Sequence, residues 1–577
     1  MGSNAPSFSG RTYANYEQDY EATFTMTGTA AVSVNDLTIT LGTLNFNMTG
    51  TPGHSIKGNI TVADGAALNF NPGSAGTVNF NGSAQQTISG TGTIASATTN
   101  STLTMANTSG IVLNTSATFY HLTISSGSLT INANKALTVS GTLTNAAGAS
   151  GLVIESGGSL IQSSAGVNAI VKRDFNAWSN NHGWHFISSP VSSQSISGGF
   201  TVVPADEYDF YKWSEVDNLW LNQKVGANNI TTFEVGSGYL AAYKTGDTKQ
   251  FSGTLNKDNV SVNNLSLSGG ANYGWHLLGN PFTSALTWAT GWSLNNINTT
   301  AKIWEESSAS YIDIASGGII PALNGFMVEV NTGSGGNNSL TIPTAARAHH
   351  SQSWYKSSEN PSLKLLAKDA AGQTAQESII RFIPDATPGF DPDFDSHFLA
   401  GYAPLFYSRA GEENLSTNAL PESGGSVQIP FDFYKNESDN FSIEAREING
   451  IFGPVYLNDL KLGNSQDLTT NPVYAFTSAT GDNPARFLVT FSHVGIGENQ
   501  KDNVFTVYSS GDQLIVVDNS GKNQGDVVVY NMMGQAIASG KLNGNAMLKL
   551  SMNVPTGYYL VKITSPQTTQ SSKVFVR

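Results

Sequence analysis

"NDLTITLGTLNFN" (Asn35–Asn47) returns as "YHLTISSGSLTIN" (Tyr120–Asn132). In both copies apolar residues alternate with Thr, Ser and Asn, and a glycine interrupts the run. The same rhythm fills residues 20 to 170, in "GNITVADGAALNF", "GTVNFNGSAQQTISGTG", "KALTVSGTLTN" and "GLVIESGGSLI". Alternation at period two marks strands with one buried face, and Gly and Asn supply the left-handed turn positions between them. Each strand is too short to bury its face alone, whereas coils stacked on one another share a continuous core. The stretch therefore predicts a β-solenoid over residues 1–174, with a pair of ordinary sandwiches as the rival arrangement.

The next segment is a duplication. "GWHFISSP" (Gly183–Pro190) matches "GWHLLGNP" (Gly274–Pro281). Trp184 precedes Trp213 by 29 residues, and Trp275 precedes Trp304 by the same 29. Gly238 of "GSGYLAAY" and Gly325 of "LNGFMVEV" follow the two tryptophans by 54 and 50 residues. Residues 175–348 thus read as two copies of one β module with a repeat of about 91 residues. Strand periodicity puts Trp184, Phe186, Trp275 and Leu277 on core faces and turns His185 and His276 outward or over an edge. Neither histidine has a carboxylate near it in sequence, which argues against a metal role.

From residue 349 to 503, "SLKLLAKD", "QESIIRFIP", "GSVQIPFDF" and "FSIEARE" alternate between turn residues, the pattern of an antiparallel sandwich. Residues 504–577 make a last small unit of short strands. The whole chain is read as all-β.

Composition agrees. Of 577 residues only 12% are charged, against about 25% in an ordinary soluble domain. The 59 glycines suit many short strands. A net charge of −14 with few Lys and Arg argues against nucleic acid and anionic lipid as partners. The absence of cysteine removes disulfides, thiolate zinc sites and thiol catalysis. No apolar run is long enough for a transmembrane helix. "MGSNAPSFSG" lacks the pattern of a signal peptide, and Met1–Ser3 read as a cloning scar on the C-terminal part of a longer protein.

Sites are few. "GFDPDFDSHF" sets Asp391, Asp393 and Asp395 at alternate positions, a spacing that can gather oxygen ligands around calcium. Ser396 and Tyr402 stand where an EF-hand needs Gly and Glu, so the alternative is a solvated acidic turn. Calcium is the one cofactor considered. "GQAIASGKL" (Gly534–Leu542) has one residue too many for a phosphate loop and ends in Leu542, so it reads as a hairpin turn. His349 and His350 sit at a junction and are expected to be exposed. Asp36, Asp64 and Glu155 are the only acids between residues 22 and 170, which disfavours a hydrolytic groove on the solenoid. Trp213, Trp220, Trp288 and Trp292 fall near expected loops, with Tyr208 and Tyr211. They are either glycan-stacking rings or core.

The last 74 residues carry "GDVVVYNMMGQAI" (Gly525–Ile537), "PTGYYLVKITS" (Pro555–Ser565) and "SSKVFVR" (Ser571–Arg577). In this order they closely resemble the type A C-terminal sorting domain of the Bacteroidetes type IX secretion system. The resemblance implies an immunoglobulin-like sandwich. It assigns the sorting signal to Tyr530, Asn531, Gly534, Gln535, Gly557, Tyr559, Lys573, Val574, Val576 and Arg577. It also implies an outer-membrane translocon, shuttle and sortase as partners, and delivery to the cell surface or release. Upstream, "GWHLLGNPFTSALTW", "GFDPDFDSHFLAGYAPLFYS", "VYLNDLKLGNSQDL" and "GDNPARFLVTF" resemble segments of large Bacteroidetes surface proteins. The expectation is a noncatalytic surface protein of stalk or adhesin type. The alternative is a carbohydrate-binding accessory region of a larger secreted polysaccharide-degrading enzyme.

Overall fold

A computed structural model describes residues 8–576 except 9, 49–52, 71–76, 97–98, 100, 180–182, 202–206, 270–273, 332–336, 351–360, 373, 422–426, 452, 492–504, 511–512, 519–522, 532–533, 545–546, 556 and 567–568. Strands and short 3-10 turns make up all the regular structure among these residues. The chain divides into two compact units, Met1–Gly495 and Ile496–Arg577.

The first unit begins with the solenoid. Leu37, Ile60, Ile88, Leu113, Ile131, Ile154 and Val171 occupy one parallel register column, and none is more than 1% exposed. Seven levels define six turns. One residue further along, Thr38, Thr61, Ser89 and Asn114 form the outward column. In that column the Asn132 amide donates to Asn114 Oδ1 at 3.2 Å, and on another face of the coil the paired Asn69 amide donates to Asn45 Oδ1 at 3.0 Å. A slip of one residue would turn every apolar side chain to water, so the alternation also fixes the register. Gly127, at φ 70°, lets one coil touch the next: a Cβ there would lie 1.8 Å from the Asn107 carbonyl oxygen. Buried Gln86 donates to the Ile56 and Gly58 carbonyls and accepts from the Gly82 amide and Asn107, tying coils together.

The last coil strand, Asn168–Phe175, is closed by Asp247–Thr254, which pairs with it antiparallel from Asn168↔Thr254 to Phe175↔Asp247. That strand comes from the duplicated module, so the module itself caps the solenoid edge.

The duplication is visible as topology. His185–Ser188, Gly238–Tyr243, Tyr208–Ser214 and Leu219–Asn222 form one four-stranded sheet in that order. Trp275–Gly279, Gly325–Glu329, Ala301–Glu305 and Ser310–Ile314 form the other in the same order. The cross-strand pair Trp213↔Trp220 corresponds to Trp304↔Tyr311, and Ser188↔Gly238 to Gly279↔Gly325. The two sheets meet closely: a Cβ on Gly279 would lie 2.4 Å from both Ser188 Cβ and the Ser237 carbonyl oxygen. Trp275 is 1% exposed, and its equivalent Trp184 is half-buried. Trp275→Ala should therefore cost about 3–5 kcal/mol in urea unfolding and Trp184→Ala distinctly less. Equal losses would mean that both rings are core.

Two histidine expectations are corrected. His185 is buried, not outward, because Phe175 and Glu306, remote in sequence, close over it. His349 is not free at a junction: its ring nitrogens lie 2.8 Å from Thr138 Oγ1 and 2.8 Å from Ser159 Oγ on the solenoid. His350 is exposed.

Residues 361–491 form one continuous eleven-stranded sheet, largely antiparallel, with Ala375–Phe382 and Glu413–Leu420 paired in parallel. The sheet folds over its own core. Phe433 of Val427–Tyr434 packs on Phe441 and Phe476 at 5.0 and 4.9 Å, although their strands are not neighbours. The second unit has Phe505–Ser510, Gln513–Asp518 and Met547–Ser551 in one antiparallel sheet. Ala536–Asn543, Gln524–Tyr530, Gly557–Thr564 and Thr569–Val576 form another, with Val516, Val529, Val561 and Ile563 buried between the two.

Candidate functional site

The tryptophans considered for glycan contact are engaged inside the duplicated module. Trp288 is fully buried and donates its indole N–H to the Thr299 carbonyl at 2.6 Å, so it is core and cannot touch a ligand. Trp292 packs on it at 4.8 Å and donates to the Thr287 carbonyl. Trp213 donates to the Trp275 carbonyl at 2.7 Å and lies 5.1 Å from Trp220, both half-buried against Phe186 in the seam between the sheets. A buried indole N–H needs an acceptor, and these backbone carbonyls provide it.

A cleft of about 1360 Å³ opens where the last coil, the duplicated module and the large sheet meet. Arg173 donates to the Leu323 carbonyl at 2.5 Å and to Glu306 at 3.2 Å, and Glu306 lies 2.6 Å from His185 Nδ1. Burial pushes the Glu306 carboxyl up, but the His185 hydrogen bond and the Arg173 charge outweigh it and hold the carboxyl below its usual range. On the opposite wall, burial pushes Glu377 up to about 7 against the pull of Lys364, 3.6 Å away. The buried Lys302 ammonium bonds Asp313, Ser396 and Ser416. Four acids of the cleft thus sit in ion pairs, Glu306 and Asp313 from the module and Glu377 and Glu447 from the large sheet. No sequence motif marks them, because their partners lie on distant strands.

The acidic triplet does not converge. Asp391 accepts from the Thr387 amide and hydroxyl, Asp395 accepts from the amides of Asp391 and Ala419, and Asp393 is exposed. Burial lifts the Asp395 carboxyl to about 6 against these two amide bonds. Among the described residues no three His, Asp or Glu gather as metal ligands. Calcium and a chelator should both leave the melting temperature of the chain unchanged. A calcium-dependent rise would show that these carboxylates leave their amide partners for the ion.

Beside this loop His397 stacks on Phe390 at 4.0 Å and bridges Glu329 at 2.8 Å and Glu413 at 3.1 Å. Burial opposes the charged imidazole, but the Glu329 hydrogen bond and the two carboxylates outweigh it and raise its pKa. The bridge should contribute fully below about pH 6.5, the unfolded value, and fade as pH rises through the raised folded value. The melting temperature gap between wild type and His397→Gln should therefore be wider at pH 6 than at pH 8.5. A constant gap would rule out the charged bridge.

In the second unit the assigned sorting residues build two turns and an edge. The Asn531 amide donates to Gln535 Oε1 at 2.9 Å, the Gln535 amide N–H donates to Asn531 Oδ1 at 3.0 Å, and Gly534 supplies φ 80°. Tyr530 ends the strand entering this hairpin, and Gly557 begins the strand on which buried Tyr559 donates to the Pro555 carbonyl at 2.6 Å. Thr569–Val576 pairs antiparallel with Gly557–Thr564, opposing Lys573 to Leu560 and Val574 to Tyr559, and it buries Val574 and Val576. Arg577 lies outside the described residues.

Comparison with known proteins finds a separate family match in each of the two units. The family described as "Domain of unknown function (DUF8693)" matches residues 76–316 and 310–491, more than half of the chain. The family described as "Secretion system C-terminal sorting domain" matches residues 508–577. No curated protein matches. Among solved structures, "Biofilm associated protein - BSP domain" is 10% identical, with 55% of this chain and 81% of that one covered at a TM-score of 0.12. "The Bacillus anthracis TIE protein" is 10% identical, with 71% and 72% covered at a TM-score of 0.10, and neither likeness bears on function. With its DUF8693 segments followed by a folded sorting sandwich, the chain belongs to the DUF8693 family and is a cargo of the type IX secretion system, delivered to the outer cell surface or the extracellular space.

Proposed function

We propose that the protein is a noncatalytic surface element of the stalk and adhesin type. The observation that carries this reading is the closure of the solenoid by Asp247–Thr254. Eight residues of ladder join the coil stack to the duplicated module, and Thr283, Arg347 and His349 add hydrogen bonds to the coils. A cross-braced junction of this kind suits a stiff stalk in which coils and modules hold one another in place. Sorting-domain export places such a stalk outside the cell.

The test is attachment. A deletion strain of the native host should adhere poorly to its natural surface, and the full chain should restore adhesion. A chain lacking residues 12–175 should reach the surface but restore adhesion only in part. Normal adhesion of the deletion strain, or release of reducing ends from polysaccharide by the purified chain, would overturn the reading.

A further inference from the structure

The two copies of the duplicated phrase differ in one respect that sequence symmetry does not explain. The paired registers make Tyr211 and Lys302 equivalent positions, each two residues before the tryptophan of its cross-strand pair. In the second copy the Lys302 ammonium lies 5.3 Å from the centre of the Trp275 ring, itself held by Asp313, Ser396 and Ser416, and Trp275 is sealed. In the first copy Tyr211 takes the place of the lysine, with its ring 5.9 Å from Trp184. Tyr402 from the large sheet's loop lies nearly parallel to Trp184, 12° between planes and 6.5 Å between centres. Tyr402 is 44% exposed, and Trp184 and Tyr211 are half-buried.

We propose that Trp184, Tyr211 and Tyr402 form a binding platform for a neutral saccharide, which rests on the adhesin reading above and names its ligand class. Open aromatic area is unfavourable in water. The same fold has a way to cover it, as the sister copy demonstrates. The apolar C–H face of a pyranose fits flat rings, while its hydroxyls need donors and acceptors at the rim. Asp209 and Asn222 lie against the Tyr211 hydroxyl and supply both. Asp209 is held by Lys224 at 3.0 Å, and the Lys224 amide N–H donates to Asn222 Oδ1 at 2.8 Å, so the rim is fixed before a ligand arrives. Burial, helped by the Asp209 charge, raises the pKa of both Tyr211 and Tyr402. The Asp209 carboxylate and a net charge of −14 disfavour uronate or sulfated chains, which leaves neutral sugar units.

Affinity electrophoresis of the full chain in gels containing β-glucan, mannan, xylan or galactan tests this. At least one polysaccharide should retard the protein. Tyr402→Ala should weaken retardation at least tenfold with a cooperative melt retained, and Tyr211→Lys, which installs the residue of the sealed copy, should do the same. Tyr402→Phe should weaken it less, because the ring remains. No retardation by any of the four, or retardation unchanged by both Tyr402→Ala and Tyr211→Lys, overturns the proposal. Retention of the platform only by a protein partner overturns it too. The adhesin reading is separable: a Tyr402→Ala strain that adheres normally while the deletion strain does not would remove the platform and leave the adhesin.

Discussion

A chain ending at Ser571 should fold its first unit normally and stay in the periplasm. The deletion removes most of the edge strand Thr569–Val576, including Val574 and Val576, which are buried in the core of the second unit. Burying each valine contributes about 1.5–3 kcal/mol, and the ladder from Gly557 to Val561 loses its partner as well. Domains of this size are marginally stable, so a loss of that order is a large share of the total. The remaining strand would also present an unpaired edge. Cell fractionation reads the outcome: near-complete loss from the surface fraction, with the protein recovered in the periplasm. Residues 504–577 fused to an inert reporter should help carry it outward. Normal surface delivery of the truncated chain would sink the role of the last strand in sorting.

The second large effect belongs to Arg486 and Asp459. Their side chains are 1% and 0% exposed. The guanidinium grips the carboxylate twice, Nε to Oδ1 at 3.0 Å and a terminal nitrogen to Oδ2 at 2.7 Å. Its other terminal nitrogen donates to the Thr477 carbonyl, and its face lies 4.6 Å from the Phe476 ring centre. Asp459 also accepts from the Lys461 and Leu462 amides and the Tyr474 hydroxyl. Burial pushes the Asp459 carboxyl up, but Arg486 outweighs it and holds the carboxyl below its usual range. Removing one partner leaves a buried charge alone, so Arg486→Met or Asp459→Leu should each cost about 3–5 kcal/mol. The double variant should cost less than the two losses added together, because it buries no lone charge. Urea midpoints of the three variants and the wild type close the cycle. Single losses below about 1 kcal/mol would mean that water reaches the pair.

These pairings show where sequence reading stops. Period-two alternation specifies a strand and its buried face from neighbouring residues alone, so Leu37 to Val171 could be expected to stack before any coordinates existed. Repeat spacing is equally local, and the equivalence of Trp213 and Trp304 follows from counting. The sorting motif was legible through its resemblance to a known family, and its residues Asn531, Gly534 and Gln535 close a hairpin on themselves. The fate of a polar or aromatic residue is not local. His185 was expected to point outward or cover an edge and is closed in by Glu306, and Trp288, for which a glycan-stacking and a core reading were both open, is core.

The sequence by itself therefore determined the all-β class, the coiled repeat and the duplication, because each is written in residues a few positions apart or in an exact count between them, and it carried the export signal as a motif shared with a known family. Only the tertiary structure decided which of two equivalent tryptophans is sealed, which acids are paired, and that the carboxylates of Asp391, Asp393 and Asp395 are not gathered as a ligand set. Those outcomes depend on which distant strands arrive beside a side chain. Desolvation and charge pairing act through space, and no spacing along the chain encodes them.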